Sequence, residues 1–477
     1  MGILGLGYMG LATAAAFARH GVTTVGYDVL PDRRAAVRAG MSPFHEDGLE
    51  ELLQTEVRSG RLTVAETMAD VAERAAVIFL CLPTPPRDDG EIDLRPIEGG
   101  AAELGRALAR VDGFRVVVVK STVVPGTTET VVGPALLGAS GKTGDQIAVA
   151  SNPEFLAEGR MVEDALHPDR IVVGVSHPRA AELLRSLYAV FDSPLIVVTP
   201  AGAEMTKYAS NSFLALKISF ANELARFAEQ VGVNVDDVVR GVGSDPRIGH
   251  RFLQAGPGFG GSCFSKDVQA FARAARDRGV RLSLVEQIMT VNDAQTRHAG
   301  DLIAGQLPEG KGTVALLGLA FKEGTDDLRE SRALPIVERL AGAGIEVRAH
   351  DPVSSGKFAT WLQGRPVDIR DRVRICAAAE ETVTGADVAA LQVPWPEYLS
   401  WPSAWTRAMR HPVLVDLRRA FSEDRAAAEH LRLVRLGDGR PGVGTVPPAS
   451  SGSARQGAPD AGVPRPALRA ARSEGTG

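Results

Sequence analysis

The chain has 477 residues, 44% of them hydrophobic, and a formal net charge of −5 with acids and bases interspersed. That length exceeds what one core can fill and predicts several domains. The absence of a basic face, and of an apolar run near the roughly 20 residues of a membrane span, argues against nucleic-acid binding and membrane insertion.

Three scattered cysteines, Cys81, Cys263 and Cys376, are too few for a disulfide framework or a zinc cluster and suit a reducing compartment. No cationic-then-apolar leader opens the sequence, so a cytoplasmic protein is expected. Met1 to Gly10 places Gly5, Gly7 and Gly10 in G-x-G-x-x-G spacing between an apolar strand and an Ala-rich helix running to about Arg19. A second strand, Val22 to Tyr27, closes on Asp28. This is the nucleotide-binding βαβ order: glycines for backbone approach, the helix N-terminus toward a pyrophosphate, and an acid for the ribose hydroxyls. Asp28 would repel a 2′-phosphate and favours NAD; Arg33 and Arg34 beside it argue the other way.

Strand-like runs follow at Ala76 to Leu82, Arg115 to Val119, Ile147 to Ala150 and Ile171 to Val175, with helical segments between most of them. A doubly wound parallel sheet is expected, with ligands beyond its carboxyl edge. The residues just past each run are therefore singled out: Pro83-Thr84-Pro85, Ser121-Thr122 and Ser151-Asn152-Pro153-Glu154. Glu154 and Glu158, four apart, would share a face if that segment were helical.

Ala201 to Val231 reads as one long helix, too apolar for a free surface, with Met205, Phe213, Leu216, Phe220 and Leu224 at near-helical spacing. It is expected to join domains and to pack on a second subunit. Lys207 and Asn211 would offer an ammonium and an amide to one side. Helices are also expected at about Val235 to Val242 and Asp267 to Arg278. Between these two lies Gly256 to Asp267, reading Gly-Pro-Gly-Phe-Gly-Gly-Ser-Cys-Phe-Ser-Lys-Asp, a loop able to bend sharply around the single thiol of Cys263. Lys266 beside it could favour the thiolate, the nucleophilic form; an inert small hydrophobe is the other reading of such a cysteine.

Lys311 to Asp351 repeats the opening, Val314 to Ala320 matching the first strand and its glycine turn, and Val347 to Asp351 the second. Ala320 replaces the second glycine, so this half is expected to hold a nucleotide phosphate or uracil rather than a second dinucleotide, with Lys322, Arg329 and Arg418 as phosphate partners. Residues 441 to 477, rich in Pro, Gly, Ser, Ala and Arg, are expected to be a disordered tail.

Taken together, these motifs resemble the nucleotide-sugar dehydrogenases of the UDP-glucose/GDP-mannose dehydrogenase family, most closely the UDP-glucose 6-dehydrogenase branch. The resemblance rests on Gly5 to Gly10, Pro83-Thr84-Pro85, Ser121-Thr122-Val123, Ser151 to Glu158, Lys207 with Asn211, Phe259 to Cys263, and Phe321-Lys322 ahead of Arg329-Glu330-Ser331. It implies two Rossmann-like doubly wound parallel-sheet domains joined by a long central helix and a helical dimerisation domain. The expected boundaries are 1–198 for NAD, 199–300 for the helices and the Cys263 loop, and 301–440 for the UDP-sugar.

The resemblance also implies a four-electron oxidation of a sugar CH₂OH to a carboxylate with two NAD, through a thiohemiacetal and a thioester on Cys263. Lys207 would stabilise oxyanions with Asn211, Asp267 would assist proton removal, and Glu154 would be the base for thioester hydrolysis, aided by Thr122. The cofactor would meet Gly5, Gly7, Tyr8, Met9, Gly10, Asp28, Arg33, Pro83, Thr84, Ser121, Thr122, Glu158, Lys266 and Arg329. The UDP-sugar would meet Glu154, Phe155, Leu156, Glu158, Lys207, Asn211, Ile218, Phe252, Phe259, Gly260, Cys263, Phe321, Lys322 and Arg418, with Arg247 reaching across a homodimer. No metal is implied.

Three departures bear on the choice of sugar: Ser265 where bacterial relatives often have Pro, Gln392 to Pro396 in place of a Thr-Glu-Trp pattern, and Ser121 to Gly126, which is like the other branches. UDP-N-acetylmannosamine and GDP-mannose stay open as substrates. A two-electron hydroxyacid-type dehydrogenase and a catalytically idle nucleotide-sugar binder stay open as functions.

Overall fold

A computed structural model describes residues 1–44, 46–87 and 89–439. The proposed tail, 441–477, lies outside them.

The first sheet has eight strands: β1 Gly2–Leu4, β2 Thr24–Tyr27, β3 Leu62–Val64, β4 Val77–Leu80, β5 Arg115–Val119, β6 Ile147–Ser151, β7 Ile171–Val175 and β8 Leu195–Val198. Their order is β3-β2-β1-β4-β5-β6-β7-β8, with the direction of winding reversing between β1 and β4. Every pairing is parallel except β6 with β7. Alternation along the strands builds two cores. Ile3, Val116 and Val118 face one layer of helices, while Leu4, Val117 and Val119 face the other. β3 and β8 were not expected from the sequence, being short edge strands with half-exposed side chains.

The second sheet repeats the plan with β9 Thr313–Leu317, β10 Glu346–His350, β11 Val373–Ile375, β12 Val388–Leu391, β13 Val413–Asp416 and β14 Arg432–Arg435. It is wholly parallel in the order β11-β10-β9-β12-β13-β14. The duplication extends to hydrogen bonds. Asp28 Oδ2 accepts from Leu6 N at 2.8 Å, and Asp351 Oδ2 accepts from Leu319 N at 2.7 Å.

Joining the sheets is the helix Pro200–Val231, capped at its start by Thr199 and stopped by Gly232 in the left-handed region. Helices Val235–Gly243, Phe264–Arg276 and Ser283–Ala304 pack beside it. The third of these four begins three residues earlier than expected, at Phe264, because Phe259 and Phe264 meet edge to face, 5.8 Å between centroids, and seat that first turn. Cys263 thereby takes the position just before the first helical residue, its side chain making no capping hydrogen bond.

Candidate active site

The nucleotide end of the first sheet is shaped for a pyrophosphate. Helix Tyr8–Arg19 starts at Gly7 with no side-chain cap, so its first amides are free. Gly5 has φ +95°, and a Cβ there would stand 2.3 Å from the Cys81 carbonyl; at Gly7 a Cβ would meet nothing within 4 Å, the open space a phosphate needs. Asp28 at the end of β2 accepts from Leu6 N, Leu30 N and Arg33 Nη1, at 2.8, 3.0 and 3.0 Å. Asp351, its counterpart, receives five donors: the amides of Leu319, Ala320, Val353 and Ser354, and the Trp395 indole. A carboxylate has about four lone-pair positions, so none is left for a ribose there.

Around the rest of this end, Tyr8 stacks on Phe44 with centroids 3.8 Å apart. Met9 contributes its carbonyl to Thr13. Thr84 donates to the Thr122 carbonyl at 2.9 Å and Ser121 to the Leu82 carbonyl at 2.6 Å, which fixes the loops past β4 and β5 beside exposed Pro83.

Cys263 lies between the segment after β6 and the segment after β9. Its side chain is exposed, so it is not walled off by apolar packing. The glycines of its loop serve contacts with protein as much as with any ligand: a Cβ on Gly260 would stand 2.4 Å from the Glu330 carbonyl, and one on Gly258 2.7 Å from Asn292 Oδ1. Side chains the sequence reading missed clamp the loop. Asn222 accepts from Gly256 N, Asn292 bonds both the N–H and the carbonyl of Phe259, and Gln295 and Thr296 donate to the carbonyls of Gly256 and Pro257. The available signal was amides and hydroxyls interrupting the apolar faces of two long helices.

The polar neighbours form a chain of alternating charge. Lys207 Nζ stands 2.8 Å from Glu154 Oε1, Asn211 Nδ2 donates to Asp267 Oδ2 at 2.6 Å, and Lys266 Nζ meets Asp267 Oδ1 at 2.6 Å. Burial works against both charges of the first pair. The Glu154 charge nevertheless holds the Lys207 ammonium above its ordinary value, and Lys207 with the Leu156 amide holds the Glu154 carboxyl below its own.

Two expectations are corrected here. Lys266 is spent on Asp267 rather than on the thiol. Although Cys263 is exposed at its surface, the protein around it partly desolvates the thiol and, with Glu154, pushes it above its ordinary value despite Lys207, so the resting group is a thiol. The segment after β6 is extended rather than helical, so Glu154 and Glu158 do not share a helix face. Glu154 turns to Lys207. Glu158 turns to Ser262, 3.1 Å away, to Arg329 at 3.5 Å and to the Asp327 carboxyl. Burial, with Asp327 second, raises the Glu158 carboxyl to about 7.

Of the remaining expected residues, Phe155 lies under the Arg170 guanidinium and near Lys207, and Ile218 packs with Phe259 and Phe264. Phe252 is half-exposed at φ +66°, a strained backbone for an aromatic residue, and faces Phe264. Lys322 lies beside the Phe321 ring. Arg329 pairs with Asp327 at 2.6 Å. Arg418 donates to the carbonyls of Gln392 and Phe321, and a Cβ on Gly256 would stand 3.7 Å from its Nη1. Desolvation lowers this guanidinium to about 10, with Glu323 and Asp416 opposing the shift. Arg247, expected to serve a neighbouring subunit, is exposed in the single chain: its side chain is 87% exposed and pairs with Asp245 at 2.6 Å.

This arrangement gathers a thiol, an ammonium, two carboxylates and an open glycine turn between two nucleotide-type sheets. Three models of the UDP-glucose/GDP-mannose dehydrogenase family match the chain in order: the NAD binding domain over residues 1–192, the central domain over 201–294 and the UDP binding domain over 315–423. A UDP-glucose 6-dehydrogenase of Haloferax volcanii is 40% identical over 425 residues, 88% of this chain and 96% of that protein. One from Pseudomonas aeruginosa is 39% identical over 450 residues, 93% and 98% of the two chains. The solved UDP-glucose dehydrogenase of Pyrobaculum islandicum superposes with TM-score 0.83 at 39% identity, covering 92% of this chain and 97% of its own. With its three segments matched in order around the Cys263 loop, the chain belongs to the UDP-glucose/GDP-mannose dehydrogenase family.

Proposed function

We propose that the protein oxidises UDP-glucose to UDP-glucuronate with two NAD, and that Cys263 carries the half-oxidised sugar. The observation that carries this reading is an exposed thiol set among Glu154, Lys207 and Asp267, between the carboxyl ends of two nucleotide-type sheets. Gly5, Gly7, Gly10 and Asp28 would hold the cofactor, and Arg418, Lys322 and Phe252 the UDP portion of the sugar. Bound NAD supplies the hydride acceptor for each of the two oxidations.

The chain's own residues supply the rest. Asp267 assists removal of the C6 hydroxyl proton, and the Lys207 ammonium neutralises the alkoxide as the hydride leaves. The Cys263 sulfur then bonds to the aldehyde carbon as the C=O π bond opens, and the thiol proton is relayed to the former carbonyl oxygen, giving a thiohemiacetal. Loss of a second hydride and of the hydroxyl proton gives a thioester. Glu154, a carboxylate because Lys207 holds it ionised, takes a proton from water as the oxygen attacks; the C–S bond breaks and the thiol is restored. One UDP-glucose, two NAD and one water thus become UDP-glucuronate, two NADH and three protons.

The active unit is a homodimer in this reading, joined along the outer face of Pro200–Val231, with Arg247 of one copy reaching the site of the other. The test is Cys263→Ser with UDP-glucose and NAD. Binding of UDP-glucose is expected to persist while steady uronate formation is lost; the wild type should release two NADH per sugar. Undiminished acid from the variant, or one NADH per sugar from the wild type, overturns the thioester route. Comparing kcat/KM for UDP-glucose, UDP-N-acetylmannosamine and GDP-mannose tests the sugar.

A further inference from the structure

Lys120 follows the last residue of β5 and immediately precedes Ser121-Thr122, and it is buried. Its ammonium donates at 2.8 Å to Asn152 Oδ1, a neutral acceptor, and no carboxylate lies within ion-pair distance of it among the described residues. A buried ammonium without a carboxylate in contact is disfavoured, and burial lowers Lys120 from its ordinary value while the nearby Glu154 works to keep it charged. Such a charge calls for a function.

Its surroundings indicate one. Asn152 Oδ1 also accepts from the Tyr188 hydroxyl, and its Nδ2 donates to the Val172 carbonyl at 2.7 Å, so the carboxamide is pinned from three sides. Only Pro153 separates it from Glu154. The nearby groups are Cys81, Glu154 and Lys207. Burial pushes Cys81 to about 12, leaving a neutral thiol, so Glu154 is the one negative charge among them. Glu154 in turn faces Lys207 from the long helix, Lys120 from β5, the Cys263 thiol from its loop and the Leu156 amide from its own segment.

We propose that Lys120 is a positioning residue for Glu154, tethering the Asn152-Pro153-Glu154 turn and supplying a second positive charge behind the carboxylate, so that it governs release of the acid from Cys263 rather than the hydride transfers. The inference rests on the thioester reading above. It follows because Lys207 is drawn toward the sugar oxyanion whenever one forms, and Lys120 is then the cation that keeps Glu154 ionised and in place.

The test uses the full-length enzyme, UDP-glucose and NAD, with rapid mixing followed by steady-state turnover from pH 6 to 9. Lys120→Gln removes the charge but keeps a donor for Asn152; Lys120→Met removes both, so failure of either to fold leaves the other. Both are expected to keep an NADH burst of two per site and to accumulate an acyl adduct on Cys263, seen by intact mass. Their steady rate at neutral pH should fall at least about tenfold. The acidic limb of kcat should move up by about one unit, since loss of a nearby cation raises a carboxyl. Lys120→Arg should restore the limb, and Tyr188→Phe, which leaves every charge in place, should not move it.

Burst and steady rate falling in parallel, or a limb unmoved in the neutral variants, overturns the inference. A Cys263→Ser control run alongside separates the cases: acid formation by that variant sinks the thioester reading, whatever Lys120 does.

Discussion

Lys207 Nζ and Glu154 Oε1 stand 2.8 Å apart with both side chains almost sealed from water, at 4% and 6% exposure. Each needs the other. Lys207→Ala leaves a buried carboxylate unpaired, and about 3 kcal/mol of stability should be lost. Without the oxyanion cation kcat should fall about 10²- to 10³-fold. Adding Glu154→Gln to Lys207→Ala should recover part of the stability and none of the activity, because the stranded charge is gone but the cation is still missing. Thermal unfolding and initial rates on the two variants check both halves.

The Glu158 carboxyl, ordinarily at 4.5, is raised to about 7 by burial and by Asp327. The folded protein therefore holds a proton that the unfolded chain has released between those values. Stability should fall as pH rises across that window and level off above it, by roughly 3 kcal/mol from this group. Glu158→Gln should flatten that slope in thermal midpoints of the ligand-free protein between pH 5 and 8. An unchanged slope would show that other groups carry it.

Much of this site was legible in the sequence because its parts are local. Glycines at fixed spacing, an acid after a second strand, and a thiol in a glycine loop each announce a backbone requirement within a few residues. The long helix was visible from its period, and its observed start at Pro200 is one residue from the expected Ala201. What stayed hidden is relational. Nothing in the sequence ties Asn292 or Gln295 to the Cys263 loop more than thirty positions earlier. The protonated state of Cys263 depends on the sum of desolvation by the surrounding protein, Glu154 after β6 and Lys207 on the long helix, all remote from its loop in sequence. Lys266 looked like the activating cation because it is close in sequence; in the first turn of the helix that starts at Phe264 it pairs with Asp267 instead.

The three nucleotide-loop glycines are not equivalent, and single substitutions should separate them. At Gly7 a methyl group meets no protein atom within 4 Å, so Gly7→Ala should fold normally and raise KM for NAD at least about tenfold by filling the phosphate's place. At Gly10 the same group would stand 1.8 Å from the Gly5 carbonyl. Gly10→Ala should therefore destabilise the fold, by on the order of 3 kcal/mol, before any question of cofactor arises. Thermal midpoints with and without NAD distinguish the two.

Phe213, Phe220 and Phe227 are 61%, 47% and 66% exposed on the helix Pro200–Val231. Seven residues is close to two turns, so the three rings form one stripe drifting only slightly around the helix axis. Three half-exposed phenylalanines in line are costly to leave in water, and the stripe is where we place the second subunit. Phe213→Glu combined with Phe227→Glu puts two carboxylates into that seam, and sedimentation should show the monomer where the wild type shows a dimer. If Arg247 serves the neighbouring site, activity should fall with the assembly. Arg247→Ala should lower activity while leaving the dimer intact, since this exposed side chain pairs within its own chain only with Asp245 among the described residues. A fully active monomer would remove Arg247 from the mechanism and leave the stripe a purely structural seam.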